Sequence, residues 1–302
     1  MTNSDPGDQF VQREDKAVYE TQEPVLYEVA DGVATLTMNR PDFHNVQNSQ
    51  MTYALDAGFR RAVDDDSVKV IVLRGAGKHF SAGHDIGSPG RDINKPFDRQ
   101  TLWWDHTNKP GAEQLFAREQ EVYLGMCRRW HDIPKPTIAM VQGACVAGGL
   151  MLAWVCDLII ASDDAFFQDP VVRMGIPGVE YFAHAHELNP RIAKEFLFLG
   201  DRMKADRAYM MGMVNRVVPR EELEAQTYDI AARIAKQPRM GLALTKTVIN
   251  RVEELQGLRT TMDVAFGYHH FAHAHSQVLG AGQLGGHDAK TMAQANKKDA
   301  KE

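Results

Sequence analysis

The apolar positions of this chain follow two rhythms, short β-branched runs and longer stripes that recur every three or four residues. Residues 25–29 and 33–38 are runs of strand length on either side of Asp31–Gly32, a pair that favours a tight hairpin. Over 48–64 the rhythm is helical: Met51, Leu55, Phe59 and Val63 share one face, and Asn48 or Ser49 can cap it. A strand over 68–73 follows. Residues 112–133 are helical again, with Leu115, Val122, Met126 and Trp130 on the inner face. Pro134-Lys-Pro136 suits neither mid-helix nor central strand, and 137–141 then reads as a short buried strand. Gly143 breaks it. After the pair Gly148–Gly149, residues 150–155 are apolar nearly all round, which predicts a helix buried on every side. Residues 158–160 make the next strand. Strand, glycine break, buried helix and strand form a βαβ step.

Beyond Gly178 the pattern turns helical, over 192–199, 204–211, 221–236, 243–255 and 258–279, with one strand-like run at 214–218. Alternating strands and helices with a helical last third predict an α/β fold. The organisation expected is a loose polar arm over 1–22, a core over 23–200, a helical region over 201–280 and a mobile Gly/Ala/Lys-rich tail over 281–302. Residues 87–111 are polar, contain Gly and Pro, and carry Trp103 and Trp104 side by side.

Composition narrows the function classes. A chain of 302 residues can bury one substantial core. A net charge of −6 argues against nucleic acid or an anionic membrane surface as partner. Three cysteines, Cys127, Cys145 and Cys156, cannot all pair, and buried thiols of a reducing cytoplasm are the economical reading. No charged-then-apolar leader and no 18-residue apolar run is present, so neither a signal peptide nor a transmembrane helix is expected. No G-x-G-x-x-G follows a strand and no Walker A occurs. Gly75-Ala-Gly77 lacks the third glycine, which disfavours nicotinamide or ATP binding.

The glycine pair has two readings. Either it lets the helix pack closely on a strand, or the helix N-terminus, with its unpaired N–H groups, holds an anion or a developing oxyanion. A second segment bears on the choice. After the 68–73 strand comes FSAGHDI, residues 80–86, in which Gly83 permits an irregular backbone beside a ligand. FSAGHDI resembles the F-x-A-G-x-D-I/L signature of the crotonase (enoyl-CoA hydratase/isomerase) superfamily. The stretch PKPTIAMVQGACVAGGLMLAWVCDLIIAS resembles the same family's glycine-run segment. MNRPDFHNV at 38–46 and GDRMKADRAYMMGMVNRVVP at 200–219 resemble its opening and closing motifs. Four motifs in the family's order cover roughly residues 25–250.

The resemblance implies a crotonase-like spiral of ββα units with a C-terminal helical trimerisation region, and a homotrimer or dimer of trimers. It implies an acyl-CoA or enoyl-CoA substrate, with coenzyme A entering as part of the thioester and no permanently bound cofactor. The family's device is a pair of backbone N–H groups that hold the thioester oxygen as it becomes an enolate; here these are His84 and Gly148, with Ala147 in the first position of the glycine run. The CoA portion would lie along backbone near Asn45 and Val46 and along Ala82, Gly83, Asp85 and Ile86. The insertion bearing Trp103, Trp104 and His106 either lines the acyl site or anchors a long loop.

The family's hydratases use two glutamates, and at both places this chain departs. Met151 and Val171 stand there, and neither side chain can carry a proton. Glu180, one residue beyond the place where some branches keep a working aspartate, is the replacement candidate, with Asp169 as the other. Each is alternatively a solvated or capping carboxylate. The imidazole of His84 is either a proton shuttle or a packed side chain; His184 and His186, just after Glu180, are possible neighbours of the acyl pocket. His269 and His273 are i, i+4 on the last helix, a spacing that binds metals, but no H-E-x-x-H glutamate accompanies them, so packing at an interface is favoured and no metal is assigned. The expectation is a cytoplasmic thioester enzyme of the hydratase/isomerase type. The alternatives are isomerase, thioester hydrolase or carbon–carbon cleavage chemistry with Glu180, and a catalytically silent CoA-binding protein.

Overall fold

The computed structural model describes residues 23–86, 98–101 and 103–280, with positions 291 and 294. The arm expected over 1–22, all but two positions of the 281–302 tail, and residues 87–97 and 102 of the insertion lie outside the described residues.

Strands β1 (Val25–Ala30) and β2 (Val33–Met38) pair antiparallel with Ala30 opposite Val33. Asp31 and Gly32 join them, both at positive φ (50° and 79°), as a two-residue turn matched to twisted strands requires. Helix α1 (Ser49–Asp64) starts at Asn48, whose side chain accepts from the Met51 N–H. Its far end is closed by Lys135, whose Nζ donates to the carbonyls of Ala62 and Asp65, each at 2.7 Å. After β3 (Val70–Gly75), helix α2 (Gly111–Glu119) runs through a π turn at Gln120–Gly125 into α3 (Met126–His131). Then come β4 (Thr137–Val141), β5 (Ala144–Val146), α4 (Gly148–Trp154), β6 (Leu158–Ser162) and β7 (Phe166–Gln168). The remainder is α5 (His184–Glu187), α6 (Pro190–Leu199), β8 (Met203–Lys204), α7 (Ala205–Met210), β9 (Arg216–Val218), α8 (Leu223–Ala235), α9 (Arg239–Leu255) and α10 (Leu258–Val278).

Six strands form one sheet in the order β1-β2-β3-β4-β6-β9, parallel from β2 onward; β5, β7 and β8 form a small second sheet. The second sheet is the part the apolar rhythm does not announce, because strands of two or three residues are too short to show alternation. Both faces of the large sheet are covered. Leu36, Met38, Ile71, Leu73, Ala139 and Val141 pack in one core with Met51, Leu55 and Phe59 of α1 and with α4. Val70, Val72, Ile138, Met140 and Ile160 meet Leu223, Ile230 and Ala231 of α8. Double burial is why these strands are near-continuous apolar runs. All seven residues of α4 are buried, as its composition predicts.

Helix α9 is tied to the sheet by Lys246, whose Nζ donates to Asp157 Oδ2 at 2.9 Å while the same oxygen accepts from the N–H and hydroxyl of Thr137. His131, at the end of α3, lies 3.3 Å from Asp132 Oδ1 and 3.2 Å from Glu253 Oε2 of α9. Burial alone would lower its pKa, but the two carboxylates outweigh that and raise it to about 9. A pKa above the unfolded value contributes stability that is full below about pH 6.5 and disappears as pH rises through the folded value. Unfolding titrations at pH 6.5 and 9.5 should therefore show the wild type losing on the order of 1 kcal/mol more than His131→Gln, the half-exposed partners keeping the effect small.

Candidate active site

The site is built where two main-chain turns meet, one after β3 and one at the start of α4. Gly83 takes φ +100°, and a Cβ added there would lie 2.9 Å from the Val146 carbonyl oxygen and 3.3 Å from the Gly148 nitrogen. A Cβ on Gly148 would fall 2.5 Å from both Cδ2 and Nε2 of His84. Only glycine permits this approach. The first turn is fixed by pairing to Gln47, whose N–H donates to the Gly83 carbonyl and whose carbonyl accepts from the Asp85 N–H, both at 2.8 Å. A planar trans peptide sets C=O and N–H in opposite directions, so the His84 N–H points away from Gln47. In the same way the Ala147 carbonyl accepts from Leu150 N–H at 2.8 Å along the helix, and the Gly148 N–H points back off the helix start. Among the described residues neither amide donates to a backbone carbonyl outside helices and strands. Ala147 itself takes φ 47° and ψ −114°, a conformation glycine favours, held by its N–H donating to the Gln168 carbonyl at 2.8 Å. Backbone strain of roughly 1–3 kcal/mol is thus stored beside the helix start.

Two carboxylates named from the sequence take different places. Asp169 is wholly buried and contacts His184, Oδ2 to Nε2 at 2.7 Å, with both side chains closed to solvent. It also accepts from the N–H groups of Val171 and Val179 at 3.4 Å, the two ends of the segment that leads into Glu180. Asp169, with His184 on one oxygen, therefore holds that segment. Glu180 does reach the site: Oε1 lies 3.6 Å from Nδ1 of His84 and 3.9 Å from Nε2 of His269, at 2% exposure. Burial pushes its pKa up to about 8, and the charge of Glu119 adds to the rise, so it keeps its proton at neutral pH.

Glu119, at the end of α2, is the participant the sequence reading missed. Its Oε2 lies 3.4 Å from Nε2 of His269 and 3.3 Å from Nε2 of His270. Burial alone would raise its pKa, but His269, His270 and His273 outweigh it and bring it down to about 2. Burial works to lower His269, and Glu119 and Glu180 reverse this and raise it to about 9. The pair is thus a buried carboxylate and imidazolium beside a neutral carboxylic acid. The signal was present: Glu119 follows Leu115 by four residues, on the stripe assigned inward, where an acid has no place in a purely structural helix.

The remaining candidates fall as follows. The His84 ring stacks on Tyr123 with centroids 3.8 Å apart, and burial pushes its pKa down to about 3, leaving a neutral imidazole. Asn45 is fully buried at positive φ: its Oδ1 accepts from the Arg40 N–H at 3.0 Å, and Nδ2 donates to the carbonyls of Ala76 and His79 at 2.9 Å. Asp85 is paired with Arg40 at 3.0 Å, and Arg40 also donates to the Val46 carbonyl at 2.7 Å. The Ala82 N–H donates to His44, and Ile86 is exposed. Side chains of Asn45 and Asp85 are spent on shaping the turn, leaving main chain as the surface they offer. Met151 is buried in the core and Val171 packs against it, hydrocarbon at both positions. In the described part of the insertion, Trp103 stacks on Trp104 and faces Phe116 of α2, and Glu121 accepts from the N–H groups of Gln100 and Thr101 at 2.6 and 3.1 Å. These contacts anchor the loop to α2 and the π turn. His106 is buried, and His186 is half-buried two residues beyond His184.

Residues 28–285 match the family model described as enoyl-CoA hydratase/isomerase. The chain belongs to the enoyl-CoA hydratase/isomerase family. In this family it is 40% identical over 269 residues to a Mycobacterium tuberculosis protein named "Putative enoyl-CoA hydratase EchA13", covering 87% of this chain and 84% of that one. It is 31% identical to the 1,2-epoxyphenylacetyl-CoA isomerase of Escherichia coli, covering 82% and 89%. A solved structure of a probable enoyl-CoA hydratase from Mycobacterium smegmatis superposes with a TM-score of 0.79 at 43% identity, covering 87% of this chain and 99% of that one. The fold is accordingly the crotonase fold, α/β with a helical C-terminal region. For this enoyl-CoA hydratase/isomerase family chain, Asp169→Ala should lower unfolding free energy by about 3 kcal/mol in denaturant titration, because it strands the buried His184 ring and frees both ends of the 171–179 segment.

Proposed function

We propose that the chain acts on an acyl- or enoyl-CoA thioester. The amides of His84 and Gly148 hold the thioester oxygen as an enolate forms, and Glu180 carries the proton to or from the acyl chain. The observation that carries this reading is the abutment of the two turns, with Glu180 Oε1 3.6 Å from Nδ1 of His84. Two fixed donors aimed at developing charge in a buried site contribute several kcal/mol to lowering a barrier, roughly 2.7–4 kcal/mol for each by analogy with other oxyanion holes. The CoA portion lies along main chain at Asn45, Val46, Ala82, Gly83, Asp85 and Ile86, needing no resident cofactor for the enolate step.

Hydrocarbon at Met151 and Val171 favours proton transfer over water addition. Hydration needs one group to position and deprotonate water and another to protonate carbon, whereas isomerisation needs one proton carrier. Thioester hydrolysis and carbon–carbon cleavage draw on the same enolate site and rank behind isomerisation. Self-association as a homotrimer or dimer of trimers belongs to the proposal: Met240, Leu244, Val248, Val252 and Leu255 form an exposed apolar stripe on α9, and Val264, Tyr268, Phe271 and Val278 continue it on α10. Three free, buried cysteines suit a reducing cytoplasm, and no described helix is long and apolar enough to cross a membrane.

Deuterium wash-in tests the chemistry. Incubated in D2O with a saturated or β,γ-enoyl-CoA, the wild type should exchange α-protons, and Glu180→Gln should exchange 10²–10⁴-fold more slowly at unchanged acyl-CoA affinity. Tight acyl-CoA binding without exchange in the wild type would make the chain a silent binder. Efficient hydration of crotonyl-CoA would return it to the hydratases. For assembly, light scattering should give a mass three or six times the chain's 33.8 kDa, falling in Val248→Asp.

A further inference from the structure

We propose that Glu119, His269 and His273 form a binding site for one divalent cation of the zinc class, with its open side toward Glu180. The three ligand atoms converge from two helices. His269 and His273 stand one turn apart on α10, and Glu119 faces them from the end of α2, where the chain enters the π turn. All three residues are buried, at 6%, 5% and 7% exposure. Nε2 of His269 lies 3.4 Å from Glu119 Oε2 and 3.1 Å from Nε2 of His273, and all three atoms fall within 4.8 Å of one another. Metal–ligand bonds of about 2.0–2.1 Å place neighbouring ligands about 3.3 Å apart in a tetrahedron and about 3.0 Å apart in an octahedron. Two of the three edges therefore already have coordination length, and rotation of one carboxylate closes the third.

Three further features separate a cation site from a proton-bridged cluster. Nδ1 of His269 lies 2.9 Å from the Gly178 carbonyl, which can only accept, so Nδ1 carries a hydrogen, and a cation that displaces the second proton of the imidazolium meets the Nε2 lone pair facing inward. That is the outer hydrogen bond by which proteins orient ligating imidazoles. Two Nε2 atoms 3.1 Å apart share at most one hydrogen along their common edge. Such a hydrogen does nothing for Glu119 Oε2, a buried atom approached by two imidazole nitrogens yet without a directed hydrogen bond among the described residues; Nε2 of His270, 3.3 Å away, is in the same condition. One cation satisfies the carboxylate oxygen and both ligating imidazoles together. Two imidazoles and a carboxylate suit zinc, iron(II) or cobalt(II) rather than magnesium or calcium, which take all-oxygen spheres. Glu180 Oε1, 3.9 Å from His269 Nε2, is placed to complete the sphere or to accept a hydrogen bond from bound water.

The inference does not rest on the thioester reading, because binding is measured without substrate. The full-length chain, stripped with a chelator and dialysed, is titrated with zinc chloride against a chromophoric competitor and, in parallel, with cobalt(II) chloride by visible absorption. One zinc per chain and ligand-field bands of four- or five-coordinate cobalt are expected. Affinity should fall at least tenfold in His273→Gln and in Glu119→Gln. His270→Gln, which removes a neighbour and not a ligand, should stay within threefold of wild type. Circular dichroism of each stripped variant establishes folding, and zinc should raise the melting temperature of wild type and not of Glu119→Gln. A folded wild type that takes up no zinc, or full affinity in both ligand variants, overturns the proposal. An absent cation would leave the enolate reading standing, and a failed exchange assay would leave the cation site standing.

Discussion

A peptide group is planar, and its carbonyl and N–H point opposite ways. The site depends on that constraint at two places. Pairing with Gln47 commits the Gly83 carbonyl to one side, and the first turn of α4 commits the Ala147 carbonyl along the helix. The amides of His84 and Gly148 are thereby aimed without any side chain being asked to aim them. What the sequence must supply is room, and it supplies glycine at 83 and 148, where the added methyl group of an alanine would collide with backbone or with the His84 ring. The layers below keep the two turns in register: β3 and β4 are parallel neighbours in the large sheet, and β5 and β7 bring the second turn against Gln168.

The electrostatics of the pocket are arranged around that backbone frame. Buried polar and charged groups are expensive unless partnered, and here they are partnered: Asp169 is hydrogen-bonded to His184, Arg40 is paired with Asp85 under the Gly83 turn, and Glu119 with His269 at the wall. Glu180 is instead pressed toward the neutral form by its surroundings. On the proposed reading this sets a neutral carboxylic acid, which does not repel a forming enolate, beside the His84 ring.

Much of this was legible in the chain. The hairpin at Asp31–Gly32, the Asn48 cap, the wholly apolar α4 and the strands buried on both faces follow from local chemistry and from period alone. The two glycine turns are recognisable because their motifs specify backbone, and Glu180 because it stands near a family position. Glu119 was not read, since helix periodicity places it inward without saying what it meets, and its partners on α10 lie some 150 residues further on. Asp169 looked like a second acid from its spacing. Its burial against His184 is a tertiary fact that spacing does not carry. Strands β5, β7 and β8 escaped for want of length.

The π turn at Gln120–Gly125 has a consequence of its own. A regular α-helix advances about 100° per residue, so one extra residue in a turn rephases everything beyond it. Glu119 and Arg118 lie before that turn and Met126, Cys127 and Trp130 after it, and all are buried. Within the turn itself Glu121, Val122, Tyr123 and Leu124 are buried in succession, a full circuit of the helix, so the segment is enclosed on every side there. Deleting a single position between 120 and 125 would turn Met126, Cys127 and Trp130 by about 100° relative to Glu119, and the two halves of the segment could no longer both keep their present contacts.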